Sequence, residues 1–137
     1  MRDLGYTFEE CAKHEKGKIY LDGFEDGVRK LVMRGPCSLT AYLGIPENHP
    51  LANRDYSDIP LDVHGGLTFS DFGDDKTGRE EGFYWYGWDY AHLWDTAFYH
   101  YYAFFDPRNK KWTPKEVAKE VELALFDFKK LMKLVEG

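Results

Sequence analysis

Two short stretches of the chain hold the side chains best suited to acid–base chemistry or ligand binding. Residues 62–70 place a histidine, His64, beside a pair of glycines in a segment otherwise typical of a strand. Residues 88–95 hold a second histidine, His92, among carboxylic acids and aromatic rings. We expect the two stretches to form one site. Its candidate binding residues are Asp62, His64, Gly65, Gly66, Thr68, Trp88, Asp89, His92 and Asp95.

These residue types suit acid–base catalysis. Histidine exchanges protons near neutral pH, so His64, His92 and Asp89 are the candidate catalytic groups, with an acid orienting each imidazole. Covalent catalysis is not expected, because the nearby serines, Ser57 and Ser70, and both cysteines lie outside any nucleophile motif. Two histidines with carboxylates also suit a divalent metal. No known metal signature occurs, however, so we expect neither a metal nor another cofactor.

The same stretches permit binding without a reaction. Aromatic rings would stack a planar base, while histidine, aspartate and backbone N–H groups would fix its polar edges. The core of a sheet-and-helix domain also needs large rings, so only one or two should face a ligand. The glycine pair has an alternative interpretation. It would be a bulge beside a histidine whose hydrogen bonds are made within the fold and not to a ligand. The candidate rings are Trp85, Trp88, Tyr90 and Trp94.

The composition indicates one soluble globular domain rich in aromatic residues. Of 137 residues, 43% are hydrophobic, 31% charged and 18% aromatic, which predicts a core or pocket walled by rings. The net charge of −6 argues against a nucleic-acid duplex or an anionic membrane as the main partner. The chain has two cysteines and no apolar run long enough to span a bilayer, and residues 1–5 lack the apolar core expected of a signal peptide. We therefore expect a cytoplasmic protein with reduced thiols.

The first third of the chain predicts a short helix followed by strands. A capping box predicts a helix over residues 8–14. Residues 19–34 are ambiguous between helix and strand, and a strand over 28–34 is preferred because glycines weaken the helical alternative. Clean alternation of apolar and polar residues predicts a strand over 38–45, paired with the preceding one in an antiparallel hairpin.

The middle of the chain alternates loops with strands. Residues 46–60 contain three prolines and form either a lid over the site or a surface excursion. A third strand is predicted over 61–70, and its alternation puts His64 on the polar face. Residues 70–82 are predicted to be a charged loop that forms a solvated hairpin tip, followed by a fourth strand over 82–90.

The end of the fourth strand brings the second histidine to the site. If its aromatic face lies against a helix, Asp89 points to the polar side, where His64 also points. His92 and Asp95 are three residues apart, so one helical turn would place both on one side. The aromatic run over 98–105 is predicted to be irregular, with a strand as the alternative.

The clearest predicted element is a C-terminal helix. Thr113 is a suitable N-cap, Pro114 occupies the first helical position and Glu116 completes a capping box. We therefore predict a single α+β domain over 1–137, an antiparallel sheet of four or more strands with this amphipathic helix packed on one face. The apolar stripe of the helix is Val117, Val121, Ala124, Phe128, Leu131 and Val135.

Five segments also resemble the sequences of known proteins. The chain resembles a family of small, mostly uncharacterised proteins encoded in bacterial and phage genomes, and the likeness spans about residues 20–132. The family has no established reaction and implies no residue roles; it tends to have glycine where this chain has Trp94. A phage setting implies proteins that bind or destroy host nucleotide signals. The segments are LVMRGP at 31–36, AYLGIP at 41–46, HPL at 49–51, VHGGLT at 63–68 and GWDYAH at 87–92.

The sequence favours a ligand-binding protein over an enzyme, because no nucleophile or metal signature is present. The expected ligand is a small nucleotide-derived molecule, held in the His/Asp/aromatic pocket as a phage-type sponge would hold a host immune signal. The alternative is a hydrolase of a nucleotide-like substrate, with His64 and His92 as general acid and base. A protein-interaction module is a third interpretation, since surface aromatic residues can form an interface, and homo-oligomerisation is left open.

Overall fold

The protein is a five-stranded antiparallel sheet with a long helix packed on one face, which confirms the predicted α+β fold. The computed structural model describes residues 1–98 and 106–136. The strand order is β1-β2-β3-β5-β4. No helix in the described ranges combines the length and the apolar character needed to cross a membrane. The elements are α1 (Phe8–Lys13), β1 (Ile19–Glu25), β2 (Val28–Arg34), β3 (Leu39–Pro46), β4 (Phe69–Asp74), β5 (Arg79–Asp89) and α2 (Pro114–Glu136), with single 3-10 turns at Tyr56–Asp58 and Asp75–Thr77.

Helix α2 begins at the predicted capping box. The backbone N–H of Thr113 donates to Glu116 Oε1, and the backbone N–H of Glu116 donates to the Thr113 hydroxyl. The predicted stripe is buried as far as Phe128, but Leu131 is only partly buried and Val135 is exposed, and Met132 is buried instead. The helix-side core is therefore built from α2 and the facing side chains of the sheet. Its helix residues are Val117, Ala118, Val121, Ala124, Leu125, Phe128 and Met132.

The ambiguous residues 19–34 form a β-hairpin. Strand β2 was predicted and β1 was not. The connection is the pair Asp26-Gly27, whose φ angles of 51° and 82° both lie in the left-handed region. Two such residues match the right-handed twist of the flanking strands, which is why Asp-Gly favours two-residue hairpin turns. This dipeptide is the sequence signal that identifies β1.

The predicted third strand is wrong over residues 61–68. These residues form a loop, because consecutive glycines, Gly65 and Gly66, adopt left-handed φ angles of 70° and 78° that extended backbone does not allow. The strand begins only at Phe69, so His64 belongs to a turn and not to the polar face of a strand.

The hairpin tip predicted over 70–82 is present, but it is much shorter than predicted. Most of this range belongs to the strands of the β4–β5 hairpin, whose turn is confined to Asp75–Thr77 and Gly78. Carboxylates at positions 71, 80 and 81 are exposed along these strands, so the charged sequence hides the strand pattern.

The two faces of the sheet carry separate apolar clusters. Along β5, rings alternate as predicted, with Tyr84, Tyr86 and Trp88 on the helix side. Trp85 lies on the opposite face, which has its own cluster of Leu31, Met33, Tyr42 and Trp85. The region 46–60 is held against the helix side by two tyrosine hydroxyls, which donate to the backbone carbonyls of Leu51 and Arg54. These contacts favour a fixed surface excursion over a lid.

Candidate functional site

The candidate site lies where the chain leaves β5, and its centre is the side chain of Asp95. Three segments outside the strands meet there, residues 61–68, 90–98 and 106–113. Asp95 is 4% exposed although it carries a carboxylate. A buried charge of this kind requires hydrogen-bond donors, and each segment supplies one.

Three N–H groups donate to the Asp95 carboxylate. Oδ2 accepts from the backbone N–H of His92 at 3.0 Å and lies 2.7 Å from Nε2 of His64. Oδ1 accepts from the indole Nε1 of Trp112 at 2.8 Å. The carboxylate is thus fully engaged, and it fixes the position of the His64 imidazole.

The imidazole of His64 is in contact with two aromatic rings. It stacks on Tyr90 with centroids 4.8 Å apart and planes within 5°, and its centroid is 4.9 Å from that of Trp112. Because the contact to Asp95 uses Nε2 as donor, the tautomer assigned by this network leaves the lone pair on Nδ1. Nδ1 forms no hydrogen bond with any residue of 1–98 or 106–136, and about a quarter of the side chain is exposed, 24%.

Tyr90 joins the strand, the helix and the histidine. Its hydroxyl accepts from Trp88 Nε1 at 3.0 Å and donates to Glu120 Oε1 at 2.5 Å. Burial raises the pKa of Tyr90, and the hydrogen bond to Glu120 raises it further. The phenol therefore stays protonated, and its ring gives His64 a fixed stacking surface.

A second imidazole–carboxylate pair lies beside the first. Nε2 of His92 is 3.1 Å from Oδ1 of Asp89, and the centroids of the two imidazoles are 5.7 Å apart. This distance is that of an ion pair, but Nε2 has no aligned hydrogen-bond partner. The contact between His92 and Asp89 is therefore electrostatic, because a short distance without alignment of the N–H and the oxygen does not make a hydrogen bond. Asp89 also accepts from the Thr68 hydroxyl at 3.2 Å.

Gly65 allows the loop to lie against His92. A Cβ atom at this position would overlap the His92 imidazole, and the φ of 70° already disfavours other residues. At Gly66, with a φ of 78°, a Cβ would meet no atom within 4 Å. The first glycine of the pair thus brings the two histidines together, and the second serves only the turn.

The structure brings together most of the predicted site residues, but not all. His64, Gly65, Thr68, Asp89, His92 and Asp95 form one cluster. Trp88 is in the core, and it reaches the site only through Tyr90. Asp62 is exposed at a small cavity of about 260 Å³ between the loop and α2, which His64 and Glu120 also line.

The predicted helical turn at the second histidine is replaced by a tight turn. The backbone N–H of Asp95 donates to the carbonyl of His92 at 2.9 Å. Trp94 adopts a φ of 73°, a left-handed conformation that glycine adopts at little cost. The aromatic run predicted over 98–105 lies outside the described residues except for Phe98.

Two residues of the site escaped the sequence prediction. Trp112 is not among the residues that the sequence indicated for the site, yet its indole N–H donates to Asp95. Glu120 lies on α2 beside the buried stripe and binds Tyr90. No local pattern marks either role, because both contacts join residues far apart in the chain. In the described ranges, no group of three or more His, Cys, Asp or Glu side chains is arranged to hold a metal ion.

Comparison of the chain with known protein families, curated proteins and solved structures gives no match. Any function must therefore follow from the side chains and their geometry, since a fold by itself does not specify chemistry.

Proposed function

We propose that the protein is an acid–base hydrolase in which His64 and His92 transfer protons. The contact between His64 Nε2 and the buried Asp95 Oδ2, at 2.7 Å, is the observation that carries the proposal. A carboxylate in this position keeps the imidazole in one tautomer and stabilises the imidazolium that forms when the ring accepts a proton. Asp95 is itself fixed by Trp112, so the dyad is oriented before a substrate arrives.

The two imidazoles have different roles in this proposal. The Nδ1 lone pair of His64 takes a proton from water, whose oxygen attacks the substrate. The imidazolium of His92, stabilised by the carboxylate 3.1 Å away, gives its proton to the leaving group. Rings with centroids 5.7 Å apart are close enough to serve one reacting bond. Asp89 is then a positioning residue for His92.

The proposed substrate is a small nucleotide-derived molecule, as the resemblance to phage-encoded proteins implies. The ring of Trp94 supports it, because it is 59% exposed two residues after His92 and offers a face for stacking a base. The other three candidate rings, Trp85, Trp88 and Tyr90, are buried. Of these four candidate rings, Trp94 is therefore the one that a ligand can reach without rearrangement of the core.

Capture of the ligand without turnover is the second candidate function. The observation that favours it is the contact between the exposed Thr68 hydroxyl and Asp89 beside His92, a set of donors and acceptors suited to fixing polar edges. The network also contains no serine or cysteine nucleophile. In this scheme, His64 binds the ligand and exchanges no proton with it.

Substitution of His64 by glutamine separates the two functions. Glutamine keeps a donor and an acceptor but cannot exchange a proton near neutral pH. The wild type, His64→Gln and His64→Ala are incubated with a panel of linear and cyclic nucleotides, and heat release and chromatography are recorded. His49→Gln, in which the histidine contacts Glu136 away from the site, is the control.

For a hydrolase, the wild type forms a new product, and His64→Gln lowers turnover by about 10²–10⁴-fold while still binding. For capture, the ligand is recovered intact from the wild type, and His64→Gln retains measurable affinity. If no nucleotide binds and all variants behave alike, both functions are rejected. The exposed Leu93 and Trp94 would then favour the protein-interaction module.

A further inference from the structure

A second cavity lies on the sheet face opposite α2, and its lining residue Thr40 is the β3 partner of Asp89 on β5. It encloses about 470 Å³, which is within the range of small-molecule sites, about 300–1,000 Å³. Its walls are the connection after α1, the β2–β3 turn and the β4–β5 turn. It shares no lining residue with the cavity beside His64. Any ligand here would be recognised independently of the proposed hydrolase site.

The lining of this cavity is basic on a protein that is acidic overall. Four cations line it, Lys16, Arg34, Lys76 and Arg79, and no carboxylate does, whereas the chain has a net charge of −6. Within the described ranges, none of these four cations forms a salt bridge. Like charges gathered without a counter-charge repel one another, so the cluster favours an anion.

In the part of the chain that the structure describes, the acids nearest the cluster line no part of the cavity and form no salt bridge with its four cations. Asp74 and Asp75 lie in the adjacent turn, but their Oδ1 atoms accept from the backbone N–H groups of Lys76 and Glu81, each at 2.9 Å. Glu15 lines only a neighbouring cavity, which is otherwise basic. The positive charge therefore remains available to a ligand.

Two of the cations are held in fixed positions. The guanidinium of Arg34 donates to four backbone carbonyls, those of Cys11, Ala12, Gly35 and Pro36, at 2.7–3.4 Å. The guanidinium of Arg79 lies over the rings of Tyr42 and Phe69, 5.0 and 4.6 Å from their centroids. Fixed guanidinium groups lose little conformational entropy when they bind an anion.

Arg79 also has an unsatisfied donor. Its Nε atom is buried and has no hydrogen-bond partner among the described residues. A buried donor without an acceptor is unfavourable, and an anionic oxygen in the cavity would satisfy it. Thr40 and Thr77 line the same space, but their hydroxyls donate to the backbone carbonyls of Met33 and Asp74, at 3.4 and 2.8 Å.

We propose that this cavity binds a small phosphate-bearing anion. Guanidinium and ammonium groups that line one cavity are the chemistry that recognises phosphate oxygens. The concave shape and the net charge of −6 favour a small molecule over a nucleic-acid strand.

Calorimetric titration with inorganic pyrophosphate tests the proposal. Lys76→Gln removes one exposed cation of the lining, and Arg79→Gln removes one of its two fixed guanidinium groups. Circular dichroism confirms that both variants fold. Lys119→Gln is the matched control, because Lys119 is an exposed lysine of α2 outside this cavity. His64→Ala is included to separate this site from the proposed hydrolase site.

The wild type should bind pyrophosphate with an affinity that falls as ionic strength rises. Lys76→Gln and Arg79→Gln should each weaken binding about tenfold or more, because each removes a charge-assisted contact. Lys119→Gln and His64→Ala should bind as the wild type does. Absence of binding at low ionic strength, or an equal loss in Lys119→Gln, overturns the proposal. A loss confined to His64→Ala overturns it as well, by assigning the anion to the other site.

Discussion

The indole nitrogen of Trp112 lies 2.8 Å from the carboxylate of Asp95, 17 residues earlier in the chain. This hydrogen bond connects the segment that enters α2 with the segment that leaves β5. It supplies one of the three donors that make burial of the Asp95 charge tolerable. The position of His64 therefore depends on a residue that an inspection of the histidines alone would not identify.

Asp95→Asn should destabilise the protein by about 1–3 kcal/mol. The carboxylate accepts fixed N–H groups at both oxygens, from His92 and from Trp112. Whichever oxygen the amide NH2 replaces, one of these donors then faces another donor. Urea denaturation measures the change, and Asp62→Asn, an exposed carboxylate at the neighbouring cavity, is the control. Equal unfolding free energies for the two variants would contradict the role assigned to Asp95.

Gly65→Ala should displace His92, whereas Gly66→Ala should not. Both glycines have left-handed φ angles, 70° and 78°, so the backbone cost of alanine is similar, about 1 kcal/mol. Only at Gly65 would the added Cβ overlap the imidazole. Nuclear magnetic resonance of the histidine side chains reports the displacement. If both variants shift His92 equally, the close contact between Gly65 and His92 does not exist in solution.

Phe128→Ala should lower the unfolding free energy by about 3–5 kcal/mol, because it removes a fully buried ring from the helix-side core. Phe126→Ala is the matched control on the same helix, where the ring is 59% exposed, and it should cost less than about 1 kcal/mol. Thermal melts compare the two. Lys129 is a poorer control, since it forms ion pairs with Glu25 and Asp26 at 3.0 and 2.9 Å.

Alkaline pH should destabilise the fold through Tyr86. Burial raises the pKa of Tyr86 from 10.0 to about 12. A folded pKa above the unfolded value means that the neutral phenol is favoured in the native state. Its contribution to stability is complete below pH 10.0 and is lost as the pH rises from there towards about 12.

Denaturant melts between pH 9 and 12 measure this loss, and Tyr86→Phe should show a smaller loss over the same interval. Tyr56→Phe, at a more exposed tyrosine, should behave as the wild type. An identical pH dependence in Tyr86→Phe and the wild type would reject the assignment.

Local patterns explain which parts of the fold the sequence predicts. The capping box of α2, the β2–β3 hairpin and the ring alternation of β5 each depend on neighbouring residues, and all three are present. The strand predicted over residues 61–68 is wrong because the alternation of apolar and polar residues does not show that two successive glycines turn the chain. Strand β1 was missed because its turn signal, Asp26-Gly27, was weighed only as a helix breaker.

The sequence also identifies some residues of the candidate site and not others. His64, His92 and the acids near them stand out in the sequence by residue type. Their supports do not, because Trp112 and Glu120 reach the site from the helix end of the fold. His64 lies in a turn and not on the strand face where it was predicted, and the two imidazoles are close because Gly65 allows the loop to contact His92.

The shared acceptor at Asp95 also couples the motions of the site. The indole N–H of Trp112 and the backbone N–H of His92 both end on this one carboxylate. Any fluctuation that withdraws Asp95 releases the two protons to solvent together, so their deuterium exchange should follow a single opening equilibrium. The Trp112 indole proton is thus an internal reporter of whether the histidine cluster is assembled, readable in the unmodified protein without knowledge of its ligand.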